Sequence, residues 1–145
     1  MAYGEKLQVE GLGALNKQLD AIGGKEARRA MAAAHRVTAM MVYRDAHIHV
    51  PIGSQRGAKG PKSEHPGRLW RTLRVQAQAH RGSVIVGSRR APYGAAIHWG
   101  YPKRGIIRRP FIWQALGRNQ ERIRLEFFKE MDKVLSHYGL NRDNV

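Results

Sequence analysis

The stretch Tyr93-Gly94-Ala95-Ala96-Ile97-His98-Trp99-Gly100, followed across a basic loop by Pro110-Phe111-Ile112-Trp113-Gln114-Ala115-Leu116, constrains this chain more than any other feature. An aromatic–glycine step ends one element, cations follow, and a Pro-Phe pair opens a long amphipathic run. Proline is at home in the first turn of a helix, where its missing N–H would have had no partner. The pattern reads as a rigid joint between a small sheet and a helix. It has no catalytic look, and it suits a protein that assembles with copies of itself.

Two long helices frame that joint. A short lead-in helix is expected over Leu7–Ile22, where Leu12, Leu15, Leu19 and Ile22 recur at helical spacing, with Gly23-Gly24 breaking it. The first long helix then runs from Lys25 to about Val50. Ala27, Ala30/Met31, Ala34, Val37, Met41 and Ile48 form its apolar face, and Pro51 stops it. The second spans Phe111 to about Tyr138. Its stripe is Ile112, Leu116, Ile123, Phe127, Met131, Val134 and Tyr138, widened by Phe111, Ala115, Leu125, Phe128 and Leu135, with Gly139 as the C-cap.

Between the helices, residues 52–66 hold prolines, glycines and cations with little apolar matter, and read as a long basic loop. Leu69–Ala79 alternates as a strand, Arg81-Gly82-Ser83 reads as a turn, and Val84-Ile85-Val86-Gly87 as a second strand apolar enough to be central. Pro92–His98 fits a short helix or turn, and Arg104–Arg108 an edge strand. Helices and strands are segregated, so the expected class is α+β: two long helices packed on a small antiparallel sheet, in one domain over residues 1–145 with a short tail at 139–145.

Charge is concentrated. Of the 26 Lys/Arg and 11 Asp/Glu, thirteen cations and one acid, Glu64, fall between Pro51 and Pro110. The flanks are of ordinary mixed charge. Such a basic segment attracts a polyanion: nucleic acid, an acidic protein face or an anionic membrane. The absence of cysteine excludes disulfides and thiolate metal sites. There is no run of apolar residues long enough for a membrane helix, and Met1–Asp20 lacks the apolar core of a secretory signal.

The candidate chemistry is thin. His47 and His49, two apart, do not share a helix face, and a helix-end pair interacting with the dipole is the plainer reading than metal. Asp45 shows no partner in the sequence. The only constellation fit for a histidine-dependent nuclease is His98 beside Trp99, with Arg108 and Arg109 near. No phosphate-binding glycine motif is present, and no cofactor is expected. Trp70, Tyr93, Trp99, Tyr101 and Trp113 lie among the arginines. Aromatics so placed either stack on unpaired bases or anchor a protein interface; the helical flanks favour packing or an interface.

In order and spacing, these pieces resemble the head–tail joining, or tail-completion, family of long-tailed bacteriophages. The resemblance is carried by Pro51 at the helix end, Gly67-Arg68-Leu69-Trp70-Arg71-Thr72-Leu73 at the strand start and Val84-Ile85-Val86-Gly87. It continues through the Tyr93–Gly100 segment and Arg109-Pro110-Phe111-Ile112-Trp113-Gln114-Ala115-Leu116, and covers about Leu7 to Leu135. Where the family has a glutamate this chain has His98, so an ion pair made there is absent or reversed, and the 52–66 loop is longer and more basic than the pattern needs.

The resemblance implies a non-enzymatic structural protein of the virion, assembled in the host cytoplasm. It implies a ring of identical subunits, six in the family, in the neck between head and tail, as terminator, stopper or another neck ring. The partners it implies are its own copies, the tail tube protein, a head-side neck or stopper protein and the DNA in the lumen, with no membrane. The residues expected at an interface or facing the polyanion are Arg56, Lys59, Lys62, Arg68, Arg89, Arg90, Lys103, Arg104, Arg108 and Arg109. Tyr93, Trp99, Gly100, Pro110 and Phe111 are expected to form the packed joint. The alternative left open is a basic nucleic-acid-binding protein.

Overall fold

The structure, a computed structural model, describes residues 12–52 and 67–139. In chain order it has helix α1 (Leu12–His49), a 3-10 turn (Trp70–Thr72), strands β1 (Arg74–Gln78) and β2 (Arg81–Ile85), helix α2 (Gly94–Trp99), a second 3-10 turn (Pro102–Arg104) and helix α3 (Phe111–His137). The class is α+β, with two long helices and a two-stranded antiparallel sheet. From residue 53 to 66 the basic loop, with Arg56, Lys59 and Lys62, lies outside the described residues, as does the tail beyond Gly139.

Within α1 the break expected at Gly23-Gly24 falls on Gly24, whose φ of 50° and ψ of −122° are not helical. Glycine alone adopts such a backbone without a steric penalty. The helix ends at His49, because the residue before a proline is forced out of the helical region and Pro51 has no N–H to offer. The inward face of α1 needs correction. Val37 and Ile48 are exposed, at 39% and 78%. The buried positions continue instead through His35, Thr38, Ala39, Val42, Ala46 and Val50. Two of these are polar, so apolar periodicity alone does not trace this face. Thr38 is satisfied locally, its hydroxyl donating to the carbonyls of Ala34 (3.3 Å) and His35 (3.1 Å).

The residues form two compact units. The first comprises the chain up to Ala39, Gln76–Ser83 and the chain from Gln120 on. Its core sets Ala27, Met31 and Ala34 of α1 against Phe127, Met131, Val134 and Leu135 of α3, with Ala30, Ala79 and Tyr138 packed on it. Alanines on one helix leave room for the large side chains of the other. Leu125, expected in the stripe, is 68% exposed. The hairpin turn is Ala79-His80, two residues earlier than expected. Gly82 serves close packing rather than turning: a Cβ there would lie 2.6 Å from the His35 carbonyl oxygen and 3.1 Å from Ala39 Cβ. The ring of His35 is buried, tilted on Phe127 at 5.0 Å between centroids, and its Nε2 has no hydrogen-bond partner among the described residues. Burial first, and the charge of His80 second, lower its pKa, against a backbone hydrogen bond at Ala79.

The second unit comprises Met40–Val75 and Val84–Asn119. The strand expected from Leu69 starts only at Arg74; Trp70–Thr72 is a 3-10 turn. Leu69 and Leu73 are both buried, and their spacing of four is that of a helical turn, which alternation counted over the whole segment concealed. Thr72 ties this turn to the far side of the hairpin, its hydroxyl donating to the Leu69 carbonyl (2.7 Å) and accepting the Gly87 N–H (2.9 Å). The Arg74 guanidinium donates to the Gly87 carbonyl at 2.8 Å. With two strands in the sheet among the described residues, Val84–Gly87 has one strand neighbour there, and β2 ends at Ile85. The edge strand expected over Arg104–Arg108 is replaced by a tight loop. Gly105 turns the chain at φ 65°, and Tyr101 bridges to Ile106.

Candidate functional site

Helix α2 delivers His98 and Trp99 to one end of a loop, and Gly100 then takes the chain out at φ 83° and ψ 158°, a region of backbone open essentially to glycine. The second reason for glycine is proximity: a Cβ there would lie 3.2 Å from both the backbone N and the Cβ of Arg108. The two ends of the 100–108 loop therefore touch. The loop is closed by backbone hydrogen bonds from Tyr101 to Ile106 (2.9 Å), from Ile106 back to Tyr101 (3.1 Å) and from Arg109 to Ile97 (2.9 Å).

Beyond the loop, α3 begins with its first N–H groups in need of acceptors. Trp113 N–H finds one in His98 Nε2, at 3.3 Å. The imidazole is thus an N-terminal cap supplied from another helix. It is buried, and its ring meets Trp99 (4.5 Å) and Phe111 (5.4 Å) edge to face. Burial, then the charge of Arg108, lower its pKa, which favours the neutral ring whose Nε2 accepts. One of its two ring nitrogens is thereby engaged in holding α3.

Of the joint residues, Phe111 is buried at 2% exposure, while Tyr93 and Trp99 expose 38% and 39%. Trp99 is therefore only partly a packing residue. The Arg108 guanidinium carbon lies 5.6 Å from the Trp99 ring centroid and 5.7 Å from that of Trp113, within cation–π reach of both. Arg104 stands 6.0 Å over Tyr101. Tyr101 and Trp113, like Trp99, are about two-fifths exposed. The site is an exposed cluster of indole, phenol and guanidinium on a hydrogen-bonded loop.

Arg68, Arg89 and Arg90 form a separate group. Arg89 and Arg90 sit on the turn between Ser88 and Ala91. Arg90 N–H donates to Ser88 Oγ (3.2 Å), and Arg68 donates to the Arg90 carbonyl (3.3 Å). Lys103 belongs to the Pro102–Arg104 turn, and Arg109 leads into Pro110.

The described residues of this unit hold eleven Lys/Arg and one carboxylate, Asp45. That carboxylate is not free, as the sequence left it. Arg118 donates to both its oxygens, Asn119 Nδ2 donates at 2.7 Å and His49 Nδ1 lies at 3.0 Å. The Arg118 hydrogen bond, with help from Asn119 and against partial burial, holds the Asp45 pKa below its ordinary value. Ten cations remain without a carboxylate partner among the described residues. His47 stacks with Tyr43 (5.1 Å) and Trp70 (4.3 Å). No group of three or more His, Asp or Glu among the described residues is arranged to hold a metal, and no described helix is long and apolar enough to cross a membrane.

The Asp45–Arg118–Asn119 cluster went unread in the sequence, although a signal for it exists. Ala115, Asn119, Ile123 and Phe127 follow one another on the buried stripe of α3. An asparagine in such a row must find partners. No protein-family model, curated protein or solved structure matches the chain.

Proposed function

We propose that this chain is a structural subunit of the neck of a long-tailed bacteriophage, forming a ring that completes the tail tube and joins it to the DNA-filled head. The observation that carries the reading is where the resembling segments lie. Pro51 follows the end of α1, Gly67–Leu73 forms the turn into the hairpin, Tyr93–Gly100 holds α2, and Arg109–Leu116 opens α3. Each marks a junction, where sequence constrains the fold most tightly. A ring of identical subunits needs two different faces per subunit that close by rotation. The charge supports that asymmetry: the second unit's described residues carry eleven cations to one acid, the first unit's ten to six. A neck ring surrounds the path of exiting DNA, and a unit with ten cations that lack a carboxylate partner among the described residues fits that setting.

The test is electron microscopy of particles made without this gene. DNA-filled heads beside separate tails are the expected result, with irregular tail lengths pointing to a terminator and emptied heads beside normal tails to a stopper. Ordinary infectious virions would end the reading.

A further inference from the structure

The cluster on the 100–108 loop has a feature that neither ring assembly nor solubility requires. Arg108 is within cation–π reach of two indoles that are each about two-fifths exposed, and Arg104 stands over Tyr101, which is exposed to the same degree. The unit's one described carboxylate is held elsewhere by Arg118, so no carboxylate among the unit's described residues serves as counterion here. What would complete the surface is a ligand with negative charge and flat π-faces together. An acidic peptide brings the charge without the faces. A duplex hides its base faces in the stack. An unpaired strand offers both, because every base has a π-face and every residue a phosphate.

We propose that Trp99, Tyr101, Arg104, Arg108 and Trp113 form a binding surface for single-stranded nucleic acid, the rings stacking on unpaired bases and the guanidinium groups meeting phosphate. The loop is closed by backbone hydrogen bonds at both ends, and Gly100 lets its ends approach. The platform is thus formed before the ligand arrives and costs little ordering on binding. The proposal does not depend on the neck reading: the surface acts in the isolated chain, whether or not copies assemble.

The experiment is fluorescence anisotropy of the full chain with a labelled oligothymidylate of about 16 nucleotides, the upper range of a single-strand site. A duplex of the same length and polyglutamate serve as competitors. The single strand is expected to bind at least about tenfold more tightly than the duplex. Trp99→Ala and Trp113→Ala each weaken it by roughly 5- to 100-fold, the usual worth of one stacked base. Trp99→Phe and Trp113→Phe, which keep a stacking face and the fold, retain most of the binding. Arg108→Ala lowers the slope of log affinity against log salt by about 0.7, one phosphate on a single strand. Arg122→Ala, in the other unit, leaves binding unchanged.

Equal affinity for strand and duplex, with the tryptophan variants binding as wild type, would overturn the proposal in favour of plain charge attraction. Polyglutamate competing as well as the oligonucleotide, with the same dependence on Trp99 and Trp113, would overturn it in favour of an acidic protein partner. Particle morphology without the gene bears on the neck reading alone.

Discussion

His98 caps α3 only while its Nε2 is unprotonated, and this ties the stability of the joint to pH. Its pKa is lowered from an ordinary 6.5 by burial and then by Arg108. The unfolded chain therefore takes up the proton first as pH falls. The stabilisation is fully present above about 6.5 and is lost as pH drops through the lower folded value, with a slope of at most about 1.4 kcal/mol per pH unit for one proton. His98→Phe keeps a ring against Trp99 and Phe111 but offers Trp113 no acceptor. At pH 7.5 that costs about 1 kcal/mol, the usual worth of a cap, which is a shift of about 0.5 M in urea midpoint for a typical slope. His98→Ala also empties the space between the two aromatic rings and costs about 3 kcal/mol in all. The assay is urea unfolding from pH 7.5 to 5. The gap between wild type and His98→Phe is expected to narrow on acidification, because the wild type loses what the variant never had. His35, whose pKa is lowered in the same direction, leaves a residual slope in both proteins. A His98→Phe midpoint equal to wild type, with a parallel pH profile, would refute the cap.

Gly82→Ala forces a Cβ to within 2.6 Å of the His35 carbonyl, and the hairpin must shift; a loss of about 1–3 kcal/mol in urea unfolding is expected. Phe127→Ala removes the aromatic ring from among the buried residues of the first unit's core and should cost about 3–5 kcal/mol by the same measurement. Gly100→Ala meets both a glycine-only backbone and the Arg108 contact. It should lose at least about 1–3 kcal/mol, and its oligothymidylate affinity should fall as the loop ends part. Asp45→Asn should flatten the acid limb of the stability profile. The Asp45 contribution is present above its ordinary 3.8 and lost as pH falls through its lower folded value, so an unaltered acid limb would count against the Arg118 pairing.

Residues that answer to backbone rules were legible in the sequence; residues that answer to distant partners were not. Pro51, Gly24 and Pro110 each act through their own φ or missing N–H, so the kink and the C-terminal end of α1 and the start of α3 follow from composition at a point. The turn at Leu69–Leu73 was misread because two buried leucines four apart satisfy a strand's alternation as well as a helical turn's spacing. Gly82 was misread as a turn residue because glycine marks both a turn and a close approach, and only the position of His35 tells them apart. The joint shows the same division within five residues. The motif located Trp99 and Gly100 by their order in the chain. It gave no reason for a histidine at 98, which becomes intelligible once α3 begins beside it and Trp113 N–H needs an acceptor. A glutamate at 98 would bring a negative charge to the positive end of the same helix. Histidine provides an acceptor without a permanent charge, so this is a cap that acid can switch off.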